Sequence, residues 1–210
     1  MTALPQLKSV SIRETANEAL RKALYDGHFR PGQSLSEAAL ANEMGISRGP
    51  VREALLMLVQ EGLVTHSPNR GFSVAEFTPN DLLEISQVRL PLEAAALEMA
   101  KSCLAQGDFE ELERLKKVMV ETHSVGQISL CGQADIAFHS LIWDRTGNAR
   151  LAATLRHLLA PMFAYGSLFS IGRPDMTPSL LAEEHDVFIR FLSGRAERSA
   201  HDCVRFHLGL

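Results

Sequence analysis

Apolar residues at Ala16, Ala19, Leu20, Ala23 and Leu24 recur at three- and four-residue intervals, which predicts a helix over 12–26. Gly27 and the Pro31-Gly32 pair end it. A second helix is predicted from Ser34 or Ser36 to Gly45, with Ser34-x-x-Glu37 matching a capping box and the glycine closing the last turn. A third runs over 47–61, opened by Ser47 as a cap, with Pro50 in the first turn where a missing backbone N–H is harmless. Short alternating runs at 63–66 and 72–75 then read as two strands joined by Ser67-Pro68-Asn69-Arg70-Gly71. Three helices followed by such a hairpin make a winged helix-turn-helix.

Thr78-Pro79-Asn80-Asp81 marks a boundary: a cap, a proline at the first helical position, and a carboxylate where the helix dipole favours it. From there the periodicity is helical almost throughout. Helices are expected near 80–105, 108–125, 129–146, 148–170, 178–193 and 195–209, with a kink at Pro91 and breaks at Gly147-Asn148, Pro174 and Gly194. The fold class is mainly α, a winged helix-turn-helix over 1–77 followed by an all-α bundle over 78–210. The last helix stops abruptly at Leu210, so a truncation there is expected.

Composition narrows the function little. The hydrophobic fraction of 46% and charged fraction of 22% are those of an ordinary globular chain. No apolar run approaches the roughly 18 residues of a membrane span, and residues 1–9 lack the core of a signal peptide, so a cytoplasmic protein with no membrane partner is expected. Cys103, Cys131 and Cys203 lie far apart and are expected to be reduced, buried and small. The net charge is −4, and residues 1–77 hold eight Lys and Arg against eight Asp and Glu. Charge alone therefore does not indicate nucleic acid.

Local placement does. Arg48 and Arg52 lie one turn apart at the start of the predicted third helix, where forked guanidinium groups can reach guanine edges in a major groove. Gly49 and Pro50 keep that turn slim, and Asn69-Arg70-Gly71 forms a tip suited to a minor groove or phosphate. Both arginines are equally compatible with a solvated surface. In the second half, Asp135 and His139 share a helix face, and His185 and His207 fall on two later helices. One Asp and three His can hold a first-row divalent metal, but an Asp-x-x-x-His pair also occurs as a plain surface pair. The apolar stripe Leu151, Leu155, Leu158, Leu159, Met162 reads as core or dimer surface. His157 and His201 read as surface or core residues.

Gly32-x-x-Leu35-x-Glu37, Leu40-Ala41, Ser47-Arg48-x-Pro50-Val51-Arg52-Glu53-Ala54-Leu55, Glu61-Gly62-Leu63-Val64 and Asn69-Arg70-Gly71-Phe72 together closely resemble the GntR family of bacterial transcription regulators. The resemblance covers 12–76 and implies operator contacts from Arg48, Gly49, Pro50, Arg52 and the wing tip Asn69, Arg70, Gly71. Two departures stand out. Gly49 replaces a threonine common in the family, which removes a hydroxyl contact, and Ala38 stands where some members carry arginine.

Asp135-x-x-Phe138-His139-x-x-Ile142, Gly147-Asn148-x-x-Leu151, Glu184-His185 and His207-Leu208 resemble the FCD ligand-binding domain of one branch of that family. The resemblance implies a divalent metal, zinc first and nickel or another first-row ion next, on Asp135, His139, His185 and His207. It also implies a small carboxylate effector. Arg89 is placed to fork onto that carboxylate, or simply to pair with Glu93 across one turn. Cys131 and Cys203, each one turn before a proposed ligand, either line this pocket or pack in the core. The expected protein is a homodimeric repressor on an inverted repeat of double-stranded operator DNA, released by an organic acid. Two rivals are a regulator with a purely structural metal, and a metal-dependent hydrolase. The second lacks a general base, because Glu184 should point away from the ligands.

Overall fold

The structure is a computed structural model, describing residues 11–164 and 175–210. Its N-terminal unit begins with α1 (Ile12–Tyr25), where Ser11 and Glu14 form a reciprocal capping box. Next come β1 (Ser34–Leu35), α2 (Glu37–Met44) and α3 (Arg48–Gln60), then β2 (Val64–Ser67) and β3 (Gly71–Val74). The winged helix-turn-helix is therefore present, with one addition. Ser34 and Leu35 pair with Ser73 and Phe72, giving a three-stranded sheet in the order β1-β3-β2.

That pairing corrects the capping expectation. Ser34 lies in a strand, and Ser36 caps α2, its Oγ accepting the Ala39 N–H at 3.4 Å. A two-residue strand is too short to leave a period in the sequence. Gly45 closes α2 in the left-handed conformation at φ 65°, as the glycine turn requires. Behind these elements lies one core in which Leu20, Leu24, Val51, Leu55, Leu58, Phe72 and Val74 meet.

Thr78 opens the second unit as anticipated. Its Oγ1 accepts the Asp81 N–H at 3.2 Å, and its own N–H donates to Asp81 Oδ2 at 2.7 Å. There follow α4 (Pro79–Ala100), α5 (Gln106–Ser124), α6 (Ile128–Asp144), α7 (Ala149–Ala164), α8 (Pro178–Leu192) and α9 (Ala200–Leu208). α4 runs through Pro91 as one helix. Two boundaries move appreciably. α4 ends earlier than expected, and α9 begins at Ala200 because Ser199 caps it through the Asp202 N–H at 3.1 Å. The expected break at Pro174, and the expected helix beyond residue 164, lie outside the described residues.

α5, α6, α8 and α9 enclose the main core with Leu112, Met119, Phe138, Phe188 and Val204. Cys131 and Cys203 are part of that packing. Burial pushes the Cys131 thiol up to about 12, which leaves it inert. Cys103 departs from expectation: it is exposed just after α4. Leu155, Leu159 and Met162 of α7 face Trp143 and Leu82 in a second cluster, with Leu151 and Leu158 packed against it, so the stripe is core. No helix among the described residues is long and apolar enough to cross a membrane.

Candidate functional site

At the N-terminal end, Arg48 occupies the first position of α3 and Arg52 follows one turn later, both exposed. Gly49 is exposed with open space around it, and Pro50 completes the turn. Ser47 stands at the cap position, but its side chain makes no capping hydrogen bond. Between β2 and β3 the wing tip is fully exposed. There Arg70 N–H closes onto the Ser67 carbonyl at 3.1 Å, with Asn69 at φ 67° and Gly71 at φ 76°. A proline followed by a left-handed Asn is the pattern of a type II turn. Arg70 stands exposed at this tip.

The second cluster lies inside the helical bundle. Asp135 and His139 come from α6, His185 from α8 and His207 from α9, and all four are buried. The three imidazoles present ligand atoms within 4.8 Å of one another. Asp135 Oδ1 lies 3.0 Å from His185 Nε2 and 3.4 Å from His139 Nε2. Three helices thus bring the three histidines together, with Asp135 beside His139 and His185.

The outer contacts fix how these rings face. His185 Nδ1 donates to the Leu181 carbonyl one turn back at 2.8 Å. His139 Nδ1 lies 3.2 Å from Glu93 Oε1 on α4. Phe138 meets the His185 ring edge-on at 4.9 Å between centroids, and Phe188 lies 5.0 Å from His207. With Nδ1 of His139 and His185 committed outward, Nε2 of these two rings points at Asp135. A bare Nε2 lone pair and a carboxylate oxygen repel at this distance, so a proton or a metal cation belongs between them. The donor set therefore fits a divalent ion. Separations of 3.0 and 3.4 Å also approach the edge, about 3.3 Å, of a tetrahedron with metal–nitrogen bonds of about 2.0–2.1 Å.

Electrostatics agree. Burial opposes ionisation of Asp135, yet His185 and then His139 hold its carboxyl well below the usual aspartate range. Burial likewise opposes a charge on His139, and the Glu93 and Asp135 carboxylates outweigh it and raise the imidazole.

Arg89 pairs with Glu93 across one turn, as one of its two expected readings has it, and it also reaches the imidazoles. Its Nε lies 3.2 Å from Glu93 Oε2, while Nη2 donates to His207 Nε2 at 2.8 Å and lies 3.5 Å from His139 Nε2. The guanidinium is 2% exposed and lies against Nε2 of two imidazoles. Glu93 is the functional residue that the sequence reading treated only as Arg89's partner. Its contact with His139 joins positions too far apart for any periodicity to reveal. Glu184, next to His185 in the chain, is buried. His157 and His201 are exposed.

Residues 12–74 match the family model described as "Bacterial regulatory proteins, gntR family", and residues 84–210 match the FCD domain. The chain belongs to the GntR family. This GntR protein is 34% identical over 143 residues to the HTH-type transcriptional regulator YdhC of Bacillus subtilis, a match covering 66% of the chain and 62% of YdhC. It is 29% identical over 162 residues to the HTH-type transcriptional regulator McbR of Escherichia coli, covering 77% and 73% respectively. The first-named match thus spans less than two thirds of its relative's length. Among solved structures, E. coli McbR/YncC superposes with a TM-score of 0.75 at 25% identity, covering 96% of this chain and 95% of that one. A GntR transcriptional regulator from Rhodococcus sp. RHA1 gives 0.77 at 27% identity, covering 95% of each chain. These relatives and structural neighbours are named as transcriptional regulators.

Proposed function

We propose that this regulator is a cytoplasmic homodimeric repressor whose hold on an inverted-repeat operator is set by a small carboxylate bound in the helical domain. The observation that carries this reading is the buried cluster of His139, His185 and His207, with Asp135 against two of the rings and the Arg89 guanidinium beside it. Zinc is the ion we assign, with nickel or another first-row ion able to use the same donors. Bound there, it would supply a Lewis-acidic centre with positions open to a carboxylate oxygen.

The chain's own residues do the rest. Glu93 and the Leu181 carbonyl hold His139 and His185 in the tautomer that turns Nε2 inward. Arg89 offers a fork to the effector's carboxylate. Charge supports an anionic effector. Asp135, Glu93 and Arg89, which touch these imidazoles, together leave one negative charge. A dication turns this into one positive charge in a buried pocket, and a monocarboxylate cancels it.

At the other end, Arg48, Gly49, Pro50 and Arg52 enter the major groove while Asn69, Arg70 and Gly71 reach the flanking groove or backbone. Two copies read the two half-sites. An effector that prefers one dimer geometry by a few kcal/mol shifts operator occupancy widely. The test uses the zinc-loaded full chain and a duplex selected by it from random sequences. Release of that duplex by small carboxylates, absent in Arg89→Gln and His185→Ala, is the expected result. Release that persists in both variants places the effector elsewhere and leaves the metal a structural role.

A further inference from the structure

Glu37 is an acidic residue in a surface meant to meet phosphate. Taking α3 as the groove-reading helix of the proposed function, we infer that Glu37 is a positioning residue for Arg52, trading general affinity for sequence discrimination. Its place is fixed by the turn of the motif. Ser36 caps α2, which makes Glu37 the first helical residue, where the helix dipole favours its negative charge. From there its Oε1 accepts from Arg52 Nη1 at 2.9 Å, across the angle between α2 and α3. Glu37 is the more sheltered partner, 26% exposed against 54% for Arg52.

The contact uses one of five guanidinium N–H groups and leaves the opposite edge free for a two-point bond to a base. It also removes most of the freedom of a long, exposed side chain, so less is lost when Arg52 meets its base. Arg48, four residues earlier on the same face, makes no ion pair among the described residues. The two arginines therefore differ: one is adaptable, the other pre-set. Residues 1–77 carry no net charge with Glu37 counted, so its carboxylate beside the groove offsets part of the attraction to any duplex. A pre-set Arg52 compensates only on a sequence that offers its base.

The test compares the duplex selected by wild-type protein from random sequences with a scrambled duplex of equal length and composition. Affinity is measured across salt concentrations for the full chain and for Glu37→Gln, Glu37→Ala, Arg52→Ala and the Glu37→Ala/Arg52→Ala pair. Circular dichroism checks that each folds, and Glu37→Gln keeps an acceptor at the position. Glu37→Ala is expected to lose about tenfold on the selected duplex while holding or tightening on the scrambled one. Its salt slope should be unchanged because no phosphate contact is lost. In the Arg52→Ala background the selective loss should vanish. Equal effects on both duplexes, or the same loss without Arg52, overturn the positioning role. Wild-type affinity in Arg52→Ala overturns instead the reading of α3 as the groove helix.

Discussion

His185 shows how much a single ring can settle. A carbonyl cannot donate, so the 2.8 Å contact with Leu181 requires a proton on Nδ1, and Nε2 is thereby turned toward Asp135. Glu93 acts alike on His139 with a carboxylate in place of a carbonyl. Outer partners of this kind typically govern metal affinity by about 10–100-fold. Glu93→Gln is expected to weaken zinc binding by that order in a competition titration. An unchanged zinc affinity would show that His139 is oriented without it. The three clustered histidines were legible in the sequence because Asp135 and His139 share a helix face, and the FCD-like pattern supplied His185 and His207. Glu93 was visible only as a neighbour of Arg89 on its own helix. What it touches depends on how α4 crosses α6, which no spacing within α4 records.

At the scale of elements, local rules were the reliable ones. Thr78 and Asp81 close the predicted cap of α4, and Gly45 and Gly194 end their helices in the left-handed region at φ 65° and 72°. Where two caps competed, tertiary pairing decided: β1 claimed Ser34, leaving Ser36 to open α2. The Thr78 cap gives a quantitative expectation. Thr78→Ala should cost about 1 kcal/mol in urea unfolding, the usual worth of such a cap. It should also flatten the acid limb of stability. Hydrogen bonds from Thr78 hold the Asp81 carboxyl below the usual aspartate range. That contribution is complete above the ordinary aspartate value and is lost as pH falls through the lowered one. A variant as stable as wild type at neutral and acid pH would mean that the cap does not secure this helix.

Across the whole molecule, the helix bearing two of the proposed ligands also touches the DNA-reading unit. The Tyr25 carbonyl, at the C-terminus of α1, accepts from Ser129 Oγ and from Gln133 Nε2 at 3.3 Å, both on α6. From α1, Asn17 Nδ2 donates to the Ala54 carbonyl of α3 at 3.3 Å, and Arg21 grips Glu61 through bonds of 2.9 and 2.6 Å. Gly62, just beyond α3, lies so close to α7 that a Cβ there would sit 3.1 Å from Pro161 Cγ. A shift of α6 on its ligands therefore has a physical route to the recognition helix, through one orphan helix-end carbonyl and one buried amide. None of these contacts has a signature in the sequence. Each joins elements that are far apart along the chain, and the apolar patterns that place those elements say nothing of which polar groups meet between them.

The metal centre is the claim on which the account of switching depends, and metal content tests it most directly. The full chain, purified without chelator or histidine tag and supplied with zinc, is compared with Asp135→Ala, His185→Ala and, as a control outside the pocket, Arg48→Ala. About one equivalent per chain in wild type and Arg48→Ala, lost in the two pocket variants, is the expected result. A wild-type chain that retains neither zinc nor nickel, or pocket variants that bind as well as wild type, would contradict it.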